Sequence, residues 1–246
     1  MPASDLPSRV VEDGRACGLT TSVLEEWSCA GTPGQVEYLA GYLAAERASR
    51  EASRRAALLR RCALPAPKTF DGYDWSAVSW PDGFGRGDLL SLSFLEGRED
   101  LVLMGDVGTG KTHMASALCA LACHERVEAR FFTASSLVMR LRHARDDGRL
   151  GRELAQLGRA GLLVIDELGF LPLDADGARL LFQVVSEAYE RQSVVFTTNL
   201  EFSRWGTVFG DDQMAAAVID RIVHHGRLIQ FRGESYRVRH ALMQEG

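Results

Sequence analysis

Short runs rich in apolar and β-branched residues recur along the last three fifths of this chain. They occur at five places, residues 101–104, 130–132, 162–165, 194–197 and 228–231. Runs of this length and character are typical of strands that are buried on both faces of a parallel sheet. A helical pattern follows the first of them, so we expect an α/β fold with a mostly parallel five-stranded sheet flanked by helices.

The first 67 residues show a different pattern. Residues 1 to about 35 mix Gly, Ser, Thr and Pro with few apolar runs, which favours partial disorder. Between residues 35 and 64, helix-favouring alanines accompany apolar positions at helical spacing, namely Tyr38, Leu39, Tyr42 and Leu43. We therefore expect a small helical, partly disordered arm over residues 1–67 and one α/β domain over residues 68–246.

Charge limits the ways in which this chain could bind nucleic acid. The net charge is −5, from 28 basic and 33 acidic side chains, so a DNA contact must come from a local patch. One candidate patch is the arm, which carries Arg47, Arg50, Arg54, Arg55, Arg60 and Arg61. These arginines could lie on DNA phosphates or grip a partner protein. The alternative is a solvated helix face on which arginines pair with Glu46 and Glu51.

The cysteines indicate a reducing compartment. They are odd in number and form no CxxC pair, so we expect free thiols at Cys17, Cys29, Cys62, Cys119 and Cys123. No stretch of 18 apolar residues occurs, and the N-terminus lacks a charged-then-apolar signal pattern. We therefore expect a soluble, cytoplasmic protein that does not bind membranes.

Two groups of metal-ligating residue types give only weak signals. Cys119 and Cys123 lie four residues apart beside His124, but the missing further ligands favour core packing over a metal site. His224 and His225 are adjacent on a predicted helix, where neighbouring side chains diverge by about 100°. That divergence disfavours binding of one ion by both histidines.

A glycine-rich loop follows the first predicted strand and opens a helix. It has the pattern G-x-x-x-x-G-K-[ST] and consists of Gly105, Asp106, Val107, Gly108, Thr109, Gly110, Lys111 and Thr112. Glycines let phosphate oxygens approach backbone N–H groups, and the helix N-terminus favours the anion. Lys111 should reach the β- and γ-phosphates, and the Thr112 hydroxyl should bind Mg²⁺. The strand before the loop and the helix after it favour a nucleotide site over a chance turn.

Two further predicted strands end in polar residues, at the edge where ligands bind in parallel sheets. The strand over residues 162–165 is followed by Asp166, which would hold Mg²⁺ directly or through water, and by Glu167. Glu167 would orient and deprotonate the attacking water. Asn199 follows the next strand and is placed to hold that water. For Asn199 taken alone, a Thr-Thr-Asn turn signal is the alternative.

Five blocks of sequence stand in a characteristic order. They are the loop followed by His113, and residues 163–174, 197–205, 220–225 and 233–237. In this order they resemble the IstB-like ATP-binding proteins, the transposition helpers of insertion sequences. That family is similar in turn to the helicase loader DnaC and the initiator DnaA, all of them AAA+ ATPases. The resemblance covers residues 68–240, and it departs at Asp106 and Val107, where the family often has prolines.

The resemblance implies roles for further residues. It adds His113 to the nucleotide-binding loop and gives Asn199 the role of sensor 1. Arg221 resembles the arginine finger that reaches the ATP of a neighbouring subunit, with an ordinary surface salt bridge as the alternative. Arg237 resembles sensor 2. Phe70 is placed, with Tyr73, where related ATPases have residues that pack on adenine.

The resemblance also suggests a second surface for DNA. A basic run follows the strand predicted at residues 130–132 and comprises Arg140, Arg142, His143, Arg145, Arg149 and Arg152. In the AAA+ initiator clade this region faces the pore of the assembly, so these side chains could line a DNA channel. Asp146, Asp147 and Glu153 interleave with them, which favours the alternative of a self-neutralised helix.

The function that the resemblance implies is an ATP-dependent transposition helper. ATP and Mg²⁺ are the implied cofactors. The implied partners are duplex DNA bound with weak sequence preference, a transposase of the same element, and further copies of the chain in a ring or spiral. A DnaC-like helicase loader that acts through a protein partner is the alternative, and a nucleotide-gated scaffold is a third class. Residues 168–173 and 203–205 resemble the helper more than the loader, and we expect no large C-terminal lid after residue 225.

Overall fold

A computed structural model describes residues 6–233 of the protein. The chain divides into two compact units, Met1–Ala57 and Leu58–Gly246. The arm predicted over residues 1–67 therefore does not coincide with the first unit, and the division of the chain at residue 67 stays a prediction. Across residues 6–233, none of the helices combines the length and the apolar character that crossing a membrane requires.

Three helices make up the first unit and the segment that follows it. They are α1 (Leu6–Ala16), α2 (Thr21–Ala30) and α3 (Pro33–Cys62). A small core joins them and comprises Val10, Leu24, Val36, Ala40 and Leu43. The partial disorder expected for the first 35 residues is therefore not found between residues 6 and 30. The apolar residues there are few, and they become buried only against another helix, which local composition does not reveal.

The second unit is built on a six-stranded sheet in the order β1-β6-β2-β5-β4-β3. The strands are β1 (Val78–Ser79), β2 (Asp100–Gly105), β3 (Ala129–Thr133), β4 (Leu162–Leu168), β5 (Ser193–Thr198) and β6 (Gly226–Phe231). β1 pairs antiparallel with β6, and the other neighbours are parallel. The mostly parallel α/β fold is confirmed, but the count of five strands is wrong. β1 has two residues, too few for a hydrophobic period to show in the sequence.

Helices connect the strands and cover both faces of the sheet. They are α4 (Arg86–Ser91), α5 (Ser93–Glu96), α6 (Lys111–His124), α7 (Ala134–Asp146), α8 (Leu150–Leu157), α9 (Ala175–Ala188), α10 (Trp205–Phe209) and α11 (Asp212–His225). A 3-10 turn, Phe202–Arg204, precedes α10. Thr133 caps the start of α7, because its hydroxyl accepts the Ser136 N–H at 3.1 Å.

Alternate residues of β4 enter two separate cores. Leu163 and Ile165 pack with the helices of one face, whereas Leu162 and Val164 pack with α6 on the other. This alternation explains why the strand is apolar throughout, since each of its faces is covered by helices. The sheet is therefore a rigid support for the residues that follow its strand ends.

The two ends of the parallel strands are chemically different, and they are called here the carboxyl edge and the amino edge of the sheet. The carboxyl edge is where β2, β4 and β5 end, and Met104 of β2 pairs there with Thr198 of β5. The amino edge is where β2 and β6 begin, and Asp100 pairs there with Gly226. Six residues of strand separate the edges by about 20 Å. Groups at one edge therefore cannot contact groups at the other.

Candidate nucleotide site

The glycines of the loop after β2 occupy backbone conformations that other residues rarely adopt. The φ angles are 157° at Gly105, 84° at Gly108 and 102° at Gly110. A Cβ atom on Gly105 would lie 2.3 Å from the carbonyl oxygen of Phe231 in β6. On Gly110 it would lie 3.1 Å from the Tyr73 hydroxyl oxygen. The loop therefore needs glycine at these positions for its own fold as well as for phosphate approach.

Side chains of the loop hold it in a compact shape. The buried Thr109 hydroxyl donates to the Asp106 carbonyl oxygen at 2.8 Å. The Lys111 ammonium donates to the carbonyl oxygens of Gly105 at 2.7 Å and of Asp106 at 2.6 Å. Val107 is 59% exposed, and the Asp106 residue is exposed too. The lysine is thus positioned inside the loop, beside the backbone that would cradle phosphates.

Thr112 links the loop to the predicted metal ligand on β4. It lies in the first turn of α6, and its hydroxyl donates to the Asp166 carboxylate at 3.0 Å. Asp166 is only 3% exposed, so its carboxylate faces the loop rather than bulk solvent. A hydroxyl and a carboxylate are hard oxygen donors of the kind Mg²⁺ prefers, beside the place expected for phosphates. The two residues predicted to hold Mg²⁺ are therefore in contact.

Thr197 is a site residue that the sequence reasoning missed. Its buried hydroxyl donates to Asp166, and it accepts the backbone N–H of Glu167 at 2.9 Å. One side chain on β5 therefore orients both carboxylate residues of β4. The sequence offers one signal for this role. Two hydroxyl residues, Thr197 and Thr198, end a strand that is mostly apolar, just before Asn199.

Glu167 has an unusual backbone conformation and an exposed side chain. Its φ angle is 59°, and the pairing of β4 with β5 is irregular between Ile165 and Leu168. A non-glycine residue in this region costs on the order of 1–3 kcal/mol, and such residues cluster at functional sites. The irregularity leaves Asp166 facing Thr112 while Glu167 stays accessible at the carboxyl edge. Accessibility is what the proposed general base needs.

Asn199 directly follows β5 at the same edge. The preceding Thr198 pairs in register with Met104 of β2 and with Leu168 of β4. The Thr198 hydroxyl accepts the Leu200 N–H at 3.0 Å, which makes the turn tight, and Asn199 is exposed. Asn199 therefore lies at the strand end between the loop strand and the carboxylate strand. Its role as sensor 1 stays a prediction.

The aromatic segment before the sheet lies against the start of α6. The Tyr73 hydroxyl donates to the Gly110 carbonyl at 3.4 Å, and its ring lies 5.1 Å from the His113 ring and 5.8 Å from that of Phe70. His113 Nε2 lies 2.8 Å from the Thr69 carbonyl oxygen. Burial raises the pKa of the Tyr73 phenol, so the hydroxyl remains a donor. His113 therefore contacts this segment beside the loop, and the packing of Phe70 and Tyr73 on adenine stays a prediction.

Arg221 lies far from the loop of its own chain. Its guanidinium donates to the Ala217 carbonyl at 2.6 Å and stands 5.1 Å from the centre of the Phe182 ring. α11 ends four residues later at the amino edge, where Gly226 begins β6. These contacts hold Arg221 against α9 and its own helix rather than against the loop, and its role as an arginine finger in a neighbouring subunit stays a prediction. Arg237 lies outside the described residues.

The arginines of α7 are neutralised by carboxylates of the neighbouring helix. Arg142 pairs with Asp174 and, at 3.3 Å, with Asp176, and Arg145 also pairs with Asp176. Further pairs join Arg140 to Glu153 and Arg149 to Asp147. This geometry favours the self-neutralised helix over a DNA channel along α7.

Two arginines of α3 are also paired. Arg47 contacts Asp13 at 2.8 Å, Glu12 at 3.0 Å and Glu51 at 3.3 Å, and Arg50 contacts Glu46 at 2.6 Å. Pairing with Glu46 and Glu51, the alternative to nucleic-acid contact, is therefore found for these two. Arg54 and Arg60 are exposed and have no ion pair within residues 6–233.

Comparison with known proteins shows the family to which the chain belongs. The sequence matches the family described as IstB-like ATP binding protein over residues 23–244. The chain belongs to this family. An ATP-binding protein of insertion sequence IS5376 from Geobacillus stearothermophilus is 35% identical over 224 residues, 91% of this chain and 89% of that protein. An ATP-binding protein of insertion sequence IS21 from Pseudomonas aeruginosa is 36% identical over 181 residues, 74% and 68% of the two chains.

Solved structures show which fold this IstB-like chain has. The DnaC helicase loader superimposes with a TM-score of 0.53 at 21% identity, covering 67% of this chain and 96% of that one. The replication initiator DnaA, bound to AMPPCP and single-stranded DNA, gives a TM-score of 0.52 at 17% identity over 70% and 52% of the two chains. At such identities the likeness establishes the AAA+ fold and nothing further.

Proposed function

We propose that this IstB-like protein is a Mg²⁺-dependent ATPase that assembles on DNA and uses ATP turnover to regulate presentation of target DNA to a transposase. The supporting observation is the chain of hydrogen bonds from Thr112 through Asp166 to Thr197. It joins the phosphate loop to the strand that carries Glu167. The insertion-sequence relatives support the biological context.

Each of the residues at the carboxyl edge has a separate role in ATP binding or hydrolysis. Lys111 binds the β- and γ-phosphate oxygens, and Thr112 with Asp166 holds the metal. A Mg²⁺ ion held there would neutralise charge that develops on the transferred phosphoryl group. Glu167 accepts a proton from the attacking water, which Asn199 holds in line with the phosphate.

The position of Arg221 on α11 supports an oligomeric active form. A guanidinium that stabilises the transferred phosphoryl group contributes about 10³–10⁵ to the rate. Because Arg221 lies towards the amino edge of its own sheet, as an arginine finger it would act on ATP bound to a neighbour. Such head-to-tail contacts build a ring or an open spiral, either of which can follow duplex DNA.

Mixing two inactive variants tests this arrangement. Glu167→Gln lacks the base but keeps its arginine, and Arg221→Ala lacks the arginine but keeps its base. In a mixed oligomer, a subunit with an intact Glu167 receives Arg221 from the other variant. We therefore expect each variant alone to have little ATPase activity and the mixture, with duplex DNA, to regain a substantial fraction.

Two outcomes contradict the proposal. A mixture no more active than the sum of its parts would show that Arg221 does not act between subunits. If neither turnover nor sedimentation of the wild-type protein responds to duplex DNA, the DNA-dependent function is wrong. The loader interpretation, in which a protein partner drives assembly, then takes its place.

A further inference from the structure

Three metal-ligating side chains converge at the amino edge of the sheet, far from the nucleotide site. Glu190 lies in the turn between α9 and β5, and His224 and His225 are the last two residues of α11. One ligand atom from each lies within 4.8 Å of the others. We propose that Glu190, His224 and His225 form a binding site for a divalent transition-metal ion, with Zn²⁺ the best match.

The adjacent histidines meet because the helix ends at that point. The sequence disfavours a shared ion on the ground that neighbours on a helix diverge, but the two imidazole rings lie side by side here. Gly226 takes an extended conformation, with φ −113° and ψ 161°, directly after His225. The two imidazole rings stand edge to face with centres 4.4 Å apart. Adjacent side chains leave a helix about 100° apart, but at this helix end the side-chain torsions of the two histidines bring their rings together.

Backbone contacts hold Glu190 towards the histidines. Its φ angle is 58°, and its carbonyl oxygen accepts a hydrogen bond of 2.7 Å from the Arg98 guanidinium. Its carboxylate oxygen lies 3.0 Å from Nε2 of His225. A carboxylate and an imidazole at this distance can share a metal after a small separation, with metal–ligand distances of about 2.0–2.2 Å.

Tyr189 orients the remaining histidine. Its hydroxyl lies 3.0 Å from Nδ1 of His224, which leaves Nε2 as the nitrogen available to a metal. Histidines that bind metals characteristically use the second ring nitrogen for a hydrogen bond of this kind, which fixes the ring and its tautomer. The structure thus supplies three ligands together with a supporting contact around one of them.

The donor set selects the class of metal. Two imidazoles and one carboxylate match zinc sites that keep a fourth position open for water or another ligand. Mg²⁺ prefers oxygen ligands alone, so the ion that accompanies ATP does not compete for this site. The side chains of Glu190 and His225 are 59% and 39% exposed, which leaves room for the fourth ligand.

A bound ion would connect the end of α11 to the turn between α9 and β5. His224 and His225 lie three and four residues after Arg221, about one helical turn away. The ion would therefore fix the end of the helix that presents Arg221. The site itself stands on its own contacts and does not depend on the proposed ATPase function.

Cobalt and zinc titrations of the full chain without nucleotide test the site. Co²⁺ reports its ligands by visible absorption, and Zn²⁺ should displace it. We expect one Co²⁺ per wild-type chain and at least a tenfold loss of affinity in His225→Ala and in Glu190→Gln, with a smaller loss in Tyr189→Phe. His124→Ala is the matched control, because His124 is an exposed histidine 3.2 Å from a glutamate, outside the cluster.

The titrations are made in a Cys29→Ser background, since Cys29 is an exposed thiol that could bind either ion. Glu190→Gln is nearly isosteric, and equal thermal unfolding midpoints without metal establish that each variant is folded. An unchanged Co²⁺ affinity in both His225→Ala and Glu190→Gln overturns the proposal. So does a wild-type chain that binds no Co²⁺ or Zn²⁺ at millimolar concentration.

Discussion

Two buried aspartates at opposite edges of the same sheet have different surroundings. Asp166, near the end of β4, accepts hydrogen bonds from the hydroxyls of Thr112 and Thr197. Asp100, at the start of β2, accepts the backbone N–H of Val194 at 2.7 Å. At the carboxyl edge the donors come from flexible side chains on two other elements. At the amino edge the donor is the rigid backbone of the adjacent strand.

The two carboxylates therefore differ in what holds them: side-chain hydroxyls hold Asp166, whereas backbone and burial enclose Asp100. Burial raises the pKa of Asp100 to about 7, although the Val194 N–H opposes the shift. Nearby, the Ser193 hydroxyl donates to the Phe94 carbonyl, and Arg227 pairs with Glu99 at 2.6 Å. These polar groups at the amino edge are thus paired with near neighbours. At the carboxyl edge, hydrogen bonds run from Thr112 through Asp166 and Thr197 to the backbone of Glu167, whose side chain is exposed.

The largest expected effect, a loss of ATP hydrolysis, comes from replacing the exposed Glu167. Glu167→Gln removes the base but keeps the size of the side chain, so ATP hydrolysis should fall by about 10²–10⁴ while ATP binding persists. Turnover and nucleotide affinity are measured on the same preparation. Glu201→Gln is the matched control, because Glu201 is exposed and follows β5 at the same edge. Equal losses of ATP turnover in both variants would show that Glu167 is not a specific general base.

Thr197→Val should have a smaller effect through the positions of both carboxylates. It leaves the Glu167 N–H without its hydroxyl acceptor, a loss of about 1–3 kcal/mol for a buried polar group. If this free energy is lost from stabilisation of the transition state, kcat falls about tenfold to 100-fold with little change in KM for ATP. Thr197→Ser restores the hydroxyl and should restore kcat. A serine variant as slow as the valine variant would contradict a positioning role.

The sequence predicted most of the carboxyl edge because its parts are local. The loop, Asp166 and Glu167 each follow a recognisable strand, and parallel strands bring their ends together. Thr197 was missed because its importance lies in two contacts to another strand, which no spacing reveals. β1 was missed because a two-residue strand has no period, and its pairing with β6 depends on the folded chain.

The amino edge was less predictable. The His224 and His225 geometry depends on where a helix ends, and element boundaries are poorly defined by sequence patterns. Outside this edge, the main partners of the α7 arginines were equally hidden, because Asp174 and Asp176 at the start of α9 lie about 30 residues further along the chain. The acids that interleave with these arginines in the sequence correctly predicted neutralisation, since Glu153 pairs with Arg140 and Asp147 with Arg149, but they did not predict the pairs with Asp174 and Asp176.

The pKa of Asp100 predicts a pH dependence of the stability of the folded protein. The folded value, about 7, lies above the ordinary value of 3.8, so the folded state holds the proton more strongly. This contribution is full below pH 3.8 and is lost as pH rises through 7. The expected loss is about 1.4 kcal/mol per pH unit inside that window.

Asp100→Asn isolates this contribution, because the amide oxygen can still accept the Val194 N–H. The free energy of unfolding, measured by urea titration between pH 4 and 8, should decline less with pH in the variant than in wild type. Asp71→Asn serves as the control, since Asp71 is exposed. Parallel pH profiles for wild type and Asp100→Asn would show that the carboxyl is ionised in the folded protein throughout the range.

The smallest expected effect concerns DNA and α7, which begins at the carboxyl edge directly after β3. Arg142 and Arg145 already pair with Asp174 and Asp176, so replacing both with Gln should leave duplex DNA affinity and its salt dependence nearly unchanged. The matched pair on α3 is Arg54→Gln with Arg60→Gln. Each phosphate contact removed there should lower the slope of log affinity against log salt by about 1. The reverse result, a reduced slope for the α7 pair alone, would place the DNA beside the nucleotide edge and would require those ion pairs to open when DNA binds.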